Sequence, residues 1–319
     1  MQCEATDTLG VTILINNYNY ARFLPAAIDS ALSQTYHPLE VVVVDDGSTD
    51  ESPDIIRDYG ERIRPVFKWN GGQASAFNAG FAASRGEVIC LLDADDFFFP
   101  EKTERSVSAL LAHPEVGWVF HPVHREDGEG HGESVPSLEK PLFIDIRDGA
   151  LRGKLPGPPG PVTSGIVMSR DLMSRILPLT EAIRITADNY LIFLASALAP
   201  GIFLKEALAV QRIHGANLYT LRPGRLLTEA RIHLLIAAEM RRRHPELRRL
   251  SNHIFSRALA NYHQAAGADE ICRSTVRSYV HDVSPIEWPD LFLGGGLSPY
   301  SRRLRPPRAG TDALTTTGR

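Results

Sequence analysis

The sequence predicts an α/β protein: a Rossmann-like, mostly parallel sheet flanked by helices, followed by a helical extension. Three observations carry that expectation. The first third of the chain alternates short apolar runs with segments of helical period, the pattern of parallel strands joined by crossover helices. The run Val41–Val44 is four valines in succession, as expected of a strand covered on both faces. The strand-like runs end in polar or acidic residues, and in an open parallel sheet those ends share the edge where ligands bind.

The elements follow in order. Val11–Asn16 is a short apolar strand. In Leu24–Ser33, Leu24, Ala27, Ile28, Ala31 and Leu32 recur at helical spacing. Val41–Val44 is the second strand. Ser52 reads as an N-cap with Pro53 at the first helical position, opening a helix to Tyr59. Ile63–Lys68 is the third strand, and Gln73–Ser84 is a helix of small residues suited to close packing. Val88–Leu92 is the fourth strand, Pro100–Ala112 a helix and Val116–His121 a strand. Residues 125–137 carry few apolar side chains and read as a mobile surface loop. Lys154–Pro161 is too rich in proline and glycine for a helix or central strand. A strand near Gly165–Ser169, helices near Asp171–Ile176 and Asp188–Ala199, and a strand near Leu208–His214 follow. Arg222–Val283 is helical, and residues 302–319 read as a frayed, disordered tail. The expected division is an α/β domain over 1–215, with halves at about 10–121 and 122–215, then a helical extension over 216–301.

Composition narrows the function. The chain has 319 residues, 43% hydrophobic and 23% charged, with a formal net charge of -4. Without a basic excess, nucleic acid is not an expected partner. Cys3, Cys90 and Cys272 form no CxxC pair, which argues against a disulfide scaffold or zinc site and fits a reducing cytoplasm. Residues 1–10 lack the features of a signal peptide, and the apolar stretch Tyr190–Leu204 is broken at Pro200-Gly201 and too short to span a bilayer. The basic run Arg241–Arg249 reads either as a solvated helix face or as peripheral contact with the inner face of a membrane.

The fourth strand ends in Asp93-Ala94-Asp95-Asp96. Asp93 and Asp95 are two apart and share a face of extended chain. Clustered carboxylates suit a hard divalent cation, Mg²⁺ or Mn²⁺, shared with substrate phosphates. The other strand ends carry Asn16-Asn17-Tyr18-Asn19-Tyr20, Asp45-Asp46-Gly47-Ser48-Thr49-Asp50 and Trp69-Asn70-Gly71-Gly72. Each alone also reads as a turn. Together they line a cleft with an aromatic ring, hydrogen-bond acceptors and a cation, which suits a nucleoside diphosphate. A dehydrogenase-type G-x-G-x-x-G after the first strand is absent, as is a P-loop, so a metal must hold the phosphates.

These residues resemble the family 2 glycosyltransferases, which have the GT-A fold. The matching pieces are Val11-Thr-Ile-Leu-Ile-Asn-Asn-Tyr-Asn-Tyr, Ser30-Ala-Leu-Ser-Gln-Thr-Tyr, Val43-Val-Asp-Asp-Gly-Ser-Thr-Asp, Asn70-Gly-Gly-Gln, Asn78-Ala-Gly, Arg85-Gly-Glu and Leu92-Asp-Ala-Asp-Asp. A looser match runs through Thr163-Ser-Gly-Ile-Val-Met-Ser-Arg, Thr186-Ala-Asp-Asn-Tyr-Leu and Arg212-Ile-His-Gly-Ala-Asn. The resemblance implies an inverting, metal-dependent transfer of a hexosyl or N-acetylhexosaminyl group from a nucleotide sugar, expected to be a UDP-sugar. The acceptor would be a glycan, a lipid-linked sugar or a protein. Asn16, Tyr18, Asp46, Asn70 and Asp93 would bind the donor, with Tyr18 against the base and Asp46 accepting from it. Asp95, Asp93 and His214 would face Mn²⁺ or Mg²⁺, and Asp188 would be the general base. Asp188 also reads as an acid favoured by a helix N-terminus, and His214 as a histidine satisfied at a strand end. His121 and His124 are read as structural. Phe77 stands where many relatives carry arginine, which removes one expected donor contact. Two alternatives remain: a sugar nucleotidyltransferase, and a non-catalytic nucleotide-sugar-binding domain of the same fold.

Overall fold

A computed structural model describes residues 8–127, 131–133, 139–154, 161–215, 217, 225–265 and 269–293. The elements, in chain order, are β1 (Val11–Asn17), α1 (Leu24–Leu32), β2 (Leu39–Asp45), α2 (Ser52–Asp58), β3 (Arg64–Phe67), α3 (Gln73–Ala83), β4 (Val88–Asp93), β5 (Phe97–Phe98), α4 (Lys102–Ala112) and β6 (Trp118–Phe120). They continue with β7 (His124–Asp127), β8 (Gly132–Glu133), β9 (Leu142–Ile144), α5 (Arg147–Leu151), β10 (Ile166–Ser169), α6 (Arg170–Ile176), α7 (Asp188–Leu198), β11 (Gly201–Phe203) and β12 (Ala209–Ile213). The helices α8 (Arg225–Arg243), α9 (Arg248–Gln264), α10 (Glu270–His281) and α11 (Trp288–Leu293) close the described chain.

The main sheet has eight strands in the order β3-β2-β1-β4-β10-β6-β11-β9. Strands β3, β2, β1 and β4 are mutually parallel, whereas β10 runs antiparallel to both β4 and β6. The register decides what reaches the edge. It sets Asn16 beside Asp93 and Asn17 beside Asp45, so three strand ends arrive at one level. The apolar runs are continuous because both faces of the sheet are covered. Leu14, Val42, Val44, Ile89 and Leu91 face one core with Phe77, Trp118 and Tyr190. Ile13, Ile15, Val41, Val43, Cys90 and Leu92 face the other with Leu24, Ile28 and Ile56. The small-residue character of α3 has a direct use: a Cβ at Gly80 would meet Leu14 at 2.7 Å.

Two expectations are corrected. Residues 125–137 are not simply a loop: β7 and β8 pair antiparallel, and β7 joins β12 in a second sheet ordered β5-β12-β7-β8. Backbone pairing organises these polar residues without an apolar pattern to announce it. Ser52 is the first helical residue of α2 and not its cap. Its N–H is instead met by Asp50 Oδ1 at 3.0 Å. The main sheet is mostly parallel as expected, with β9 and β10 antiparallel to their neighbours. The expected irregular connection lies outside the described residues over 155–160, as does the tail 302–319.

The helical extension shares the first core, through Leu234, Ile236, Met240, Leu250 and Ile254. Its basic run is largely occupied internally. Arg241 pairs with Glu287 at 2.6 Å and donates to the Asp282 carbonyl. Arg243 donates to the carbonyls of Ile176, Leu177 and Pro178 at the end of α6, where a cation is favourable. Arg242 pairs with Glu239.

Beneath β4 lies an uncompensated group. Lys102 is fully buried, its Nζ 3.9 Å from the centre of the Phe98 ring and without a hydrogen-bond partner among the described residues. Burial holds its pKa below the ordinary lysine value. Such a group penalises the fold most at low pH, and the penalty fades as pH approaches the unfolded pKa of about 10.4. Lys102→Met is expected to raise stability at pH 7 by about 1 kcal/mol or more, with a smaller gain near pH 10. Urea unfolding at the two pH values checks this. A destabilised Lys102→Met at pH 7 refutes it.

Candidate active site

The ends of β1, β2 and β4 form the floor of a cleft of about 940 Å³. Asn16, Tyr18, Asp46, Asn70, Asp93, Asp95 and Asp188, all singled out from the sequence, line it.

On the β2 side, Asp46 is buried and accepts from Lys68 Nζ at 2.6 Å, Gly71 N at 2.9 Å and Gly72 N at 2.6 Å. The carboxylate therefore shapes the loop 68–72 as well as facing the cleft. Asn70 donates to the Asp46 carbonyl at 3.0 Å and accepts from Arg184. Gly72 has φ 87, and a Cβ there would meet the Arg184 backbone at 2.6 Å. Only glycine serves at that contact, which presses the loop 68–72 against the segment leading to α7. Tyr18 is half-buried at the mouth.

On the β4 side, Asp93, Asp95 and Asp96 each place a carboxylate oxygen within 4.8 Å of the others. Asp93 Oδ1 accepts from Asn16 Nδ2 at 3.0 Å and from Gln73 Nε2 at 3.3 Å. Asp95 Oδ2 accepts from Asn217 Nδ2 at 3.0 Å and lies 3.2 Å from His214 Nε2. Asp96 is held by Ser164 Oγ at 2.6 Å and by Arg212 N at 3.0 Å. Arg212 also donates to the carbonyls of Asp95 and Asp96, so one arginine braces the turn. The His214 ring stacks on Phe23 with centroids 4.2 Å apart. Burial, followed by the charges of Arg212 and Arg22, lowers its pKa and keeps the imidazole neutral, the form that ligates metals.

Lining the same cleft, Asp188 is the first residue of α7. Its Oδ2 accepts from Thr163 Oγ1 at 3.3 Å and its Oδ1 from Asn189 N at 3.0 Å. Burial, and then the charge of Asp93, push the Asp188 carboxyl up to about 7. Burial, and then Asp95, push Asp93 up to about 7 as well. Asp96 is raised by burial and by both neighbours, and Asp95 is raised by burial. Clustered carboxylates in low dielectric repel one another, and a divalent cation relieves that repulsion. The donor set is all oxygen apart from the neutral imidazole of His214, which fits Mg²⁺ or Mn²⁺.

Several site residues escaped sequence reasoning. Asn217 was quoted within Arg212-Ile-His-Gly-Ala-Asn, and its spacing of three from His214 was a usable signal. Gln73 and Thr163 also stood inside quoted motifs. Glu229 and His233 of α8 line the same cleft, and no local pattern marks them. Phe77, at the expected arginine position, is fully buried in the core. His121 is buried, with Nδ1 2.8 Å from the Pro122 carbonyl. His124 sits on β7, its ring 5.6 Å from that of Phe99.

The raised carboxylates make a cation testable by stability. A group whose folded pKa is raised favours the fold below its unfolded pKa and loses that contribution as pH rises through the folded value. From about pH 4 to the folded value of about 7 for Asp93 and Asp188, these acids weaken the unliganded protein. Mn²⁺, which competes with protons for the site, should raise the melting temperature more at pH 8 than at pH 5. Asp95→Ala should abolish most of the rise. Equal shifts at both pH values would refute the carboxylate site.

Comparison with known proteins agrees with this geometry. The sequence model of Glycosyl transferase family 2 matches residues 12–177, just over half of the chain. A glycosyltransferase of Nostoc sp. is 39% identical over 212 residues, covering 65% of this chain and 66% of the relative. One from Rickettsia conorii is 43% identical over 213 residues, covering 64% of this chain and 34% of the relative. The matches therefore span less than two thirds of these relatives' own length. Among solved structures, S. aureus TarS in complex with UDP covers 93% of this chain and 88% of that chain, with a TM-score of 0.59 at 16% identity. TarS in complex with UDP-GlcNAc covers 90% of this chain and 79% of that chain, with a TM-score of 0.57. At that identity the likeness speaks for the GT-A fold alone. On the strength of the family match, the chain belongs to glycosyl transferase family 2.

Proposed function

We propose that this protein transfers a sugar from a UDP-sugar to an acceptor hydroxyl in a single inverting displacement, with a divalent cation at Asp93 and Asp95 and Asp188 as general base. The observation that carries the reading is that the acidic cluster and a separate carboxylate, Asp188, line one cleft. The acidic cluster ends β4, and Asp188 faces it through Thr163 at 3.3 Å. The UDP and UDP-GlcNAc complexes of TarS favour a uridine donor and make N-acetylglucosamine the first sugar to try.

When bound, the cation offsets charge that builds on the departing diphosphate. The protein's own groups do the rest. Tyr18, Asp46 and Asn70 receive the nucleoside. Asn16, bonded to Asp93 Oδ1 at 3.0 Å, holds that carboxylate toward the diphosphate. The acceptor enters between α7 and α8, beside Asn189, Glu229 and His233. As its oxygen bonds to the anomeric carbon, the bond to the diphosphate oxygen breaks, and Asp188 takes the hydroxyl proton. A carboxyl displaced toward neutrality is a stronger base than an ordinary aspartate, and a catalytic pKa near the working pH is the most effective. A cation beside Asp93 would lower the Asp188 pKa by removing its second cause, the charge of Asp93.

The buried free thiols Cys90 and Cys272 agree with a reducing, cytoplasmic location. Among the described residues no helix is long and apolar enough to cross a membrane. With Arg241 and Arg243 bonded internally, peripheral membrane contact through the basic run would rest on Arg242, Arg248 and Arg249, which are exposed.

Calorimetric titration of UDP with and without Mn²⁺ separates the two sites. Manganese-dependent binding is expected in the native protein and absent in Asp95→Ala. Asp188→Ala should bind UDP normally while losing transfer by about 10²–10⁴-fold. Full transfer activity in Asp188→Ala would remove it as the base. Binding without any transfer in the native protein would favour the non-catalytic alternative.

A further inference from the structure

One side chain bridges the two halves of the cleft. Gln73 opens α3 directly after Gly72. Its Nε2 donates to Asp93 Oδ1 at 3.3 Å and to Thr163 Oγ1 at 3.4 Å. Its Oε1 accepts from Ala187 N at 2.8 Å, the residue before Asp188. Thr163 Oγ1 in turn donates to Asp188 Oδ2 at 3.3 Å. The backbone repeats the link, since Gln73 N donates to the Arg184 carbonyl at 2.8 Å.

The segment that presents Asp188 needs outside support. Thr186 has φ 51, in the left-handed region that a β-branched residue adopts only at a cost of about 1–2 kcal/mol. The contacts that hold this segment come from the donor side. Asp46 accepts from Gly71 N and Gly72 N, Gly72 abuts Arg184, and Gln73 grips Arg184 and Ala187. An amide suits the position. It supplies donors to Asp93 and Thr163 and an acceptor to Ala187 N, with no charge beside a buried carboxylate. Glutamate would lose the donors, and lysine would lose the acceptor.

We propose that Gln73 is a positioning residue: it sets Asp188 relative to Asp93, and so transmits the filling of the donor half of the cleft to the proton acceptor on the other half. The inference rests on the reading of Asp188 as the base. Misplacing a reacting group by about 1 Å costs on the order of 10²-fold in rate, so an amide remote from the anomeric carbon can govern turnover without governing donor affinity.

The test uses the full chain, UDP-GlcNAc and Mn²⁺, with water as the acceptor. Water oxygen bonds to the anomeric carbon, the bond to the diphosphate oxygen breaks, and the water proton passes to Asp188. Gln73→Met keeps the length and removes both hydrogen-bonding functions. Gln73→Glu keeps only the acceptor for Ala187 N and stands in should Gln73→Met fail to fold. In either variant kcat for UDP release is expected to fall about 30-fold or more, with KM and UDP affinity within about threefold of the native protein. Hydrogen exchange over residues 184–189 should quicken and lose the slowing that UDP and Mn²⁺ impose on the native protein. A merely structural role would lower stability without dividing kcat from KM. Unchanged kcat, or a loss of UDP affinity equal to the loss of rate, overturns the proposal. So does native-rate turnover in Asp188→Asn, since the base reading would then be wrong. Should the native protein release no UDP from UDP-GlcNAc, the donor reading has failed, and exchange decides for Gln73. Quickening confined to residues 184–189 supports the role, and unchanged exchange there refutes it.

Discussion

Repulsion among the carboxylates at the end of β4 is the constraint on which the site depends. Asp93, Asp95 and Asp96 arrive together because a buried strand stops and turns, and nothing in the strand itself makes their proximity favourable. Each is therefore held by a group from elsewhere: Asn16 and Gln73 for Asp93, Asn217 for Asp95, and Ser164 and the Arg212 backbone for Asp96. These partners come from β1, α3, the segment after β12 and the turn before β10. The cluster thus acts as a point where distant parts of the chain must agree. Hydrogen bonds to buried carboxylates are worth more than neutral ones, and they orient the acids as well as tolerating their charge.

The sheet supplies the geometry that the cluster needs. The parallel strands β1, β2 and β4, buried on both faces, and the edge strand β3 bring their C-terminal ends to one edge. The antiparallel β10 then inserts beside β4 and delivers Thr163 and Ser164 from the turn that precedes it. Those two hydroxyls serve different carboxylates, Ser164 toward Asp96 and Thr163 toward Asp188. The same core that seats the sheet also seats α8, which is how a helix some forty residues beyond Asp188 comes to line the cleft through Glu229 and His233. Two arginines of the basic run are bonded internally, one of them to the α/β layer, whereas Arg242, Arg248 and Arg249 stay exposed. Arg243 donates to the carbonyls that end α6, and Arg241 to the carboxylate of Glu287.

Asp188 was marked by the family resemblance, whereas the acidic triad, Tyr18, Asp46 and Asn70 were legible because each sits within a few residues of a strand boundary. There local pattern alone fixes which way the chain is going. Strand and helix positions in the first half were legible for the same reason: period-two or continuous apolar runs, broken by turn chemistry, need no knowledge of the rest of the molecule. Gln73 and Asn217 were present in recognised motifs but mute, since an amide has no preferred local reading and its partners lie on other elements.

What the sequence determined by itself was the parallel α/β half, the edge where ligands would gather and the acids that would meet there. Burial of apolar runs and the exposure of charged strand ends are near-neighbour effects, written into adjacent residues. What only the tertiary structure decided was pairing between distant segments. It made β7 and β8 strands although their residues are polar, because backbone hydrogen bonds to β12 need no apolar signal. It drew Arg241 and Arg243 into internal ties, set α8 against the cleft and linked one glutamine amide to Asp93, Thr163 and the Ala187 backbone. Those outcomes depend on which surfaces remain unfilled once the sheet has formed, and that information is spread over the whole chain.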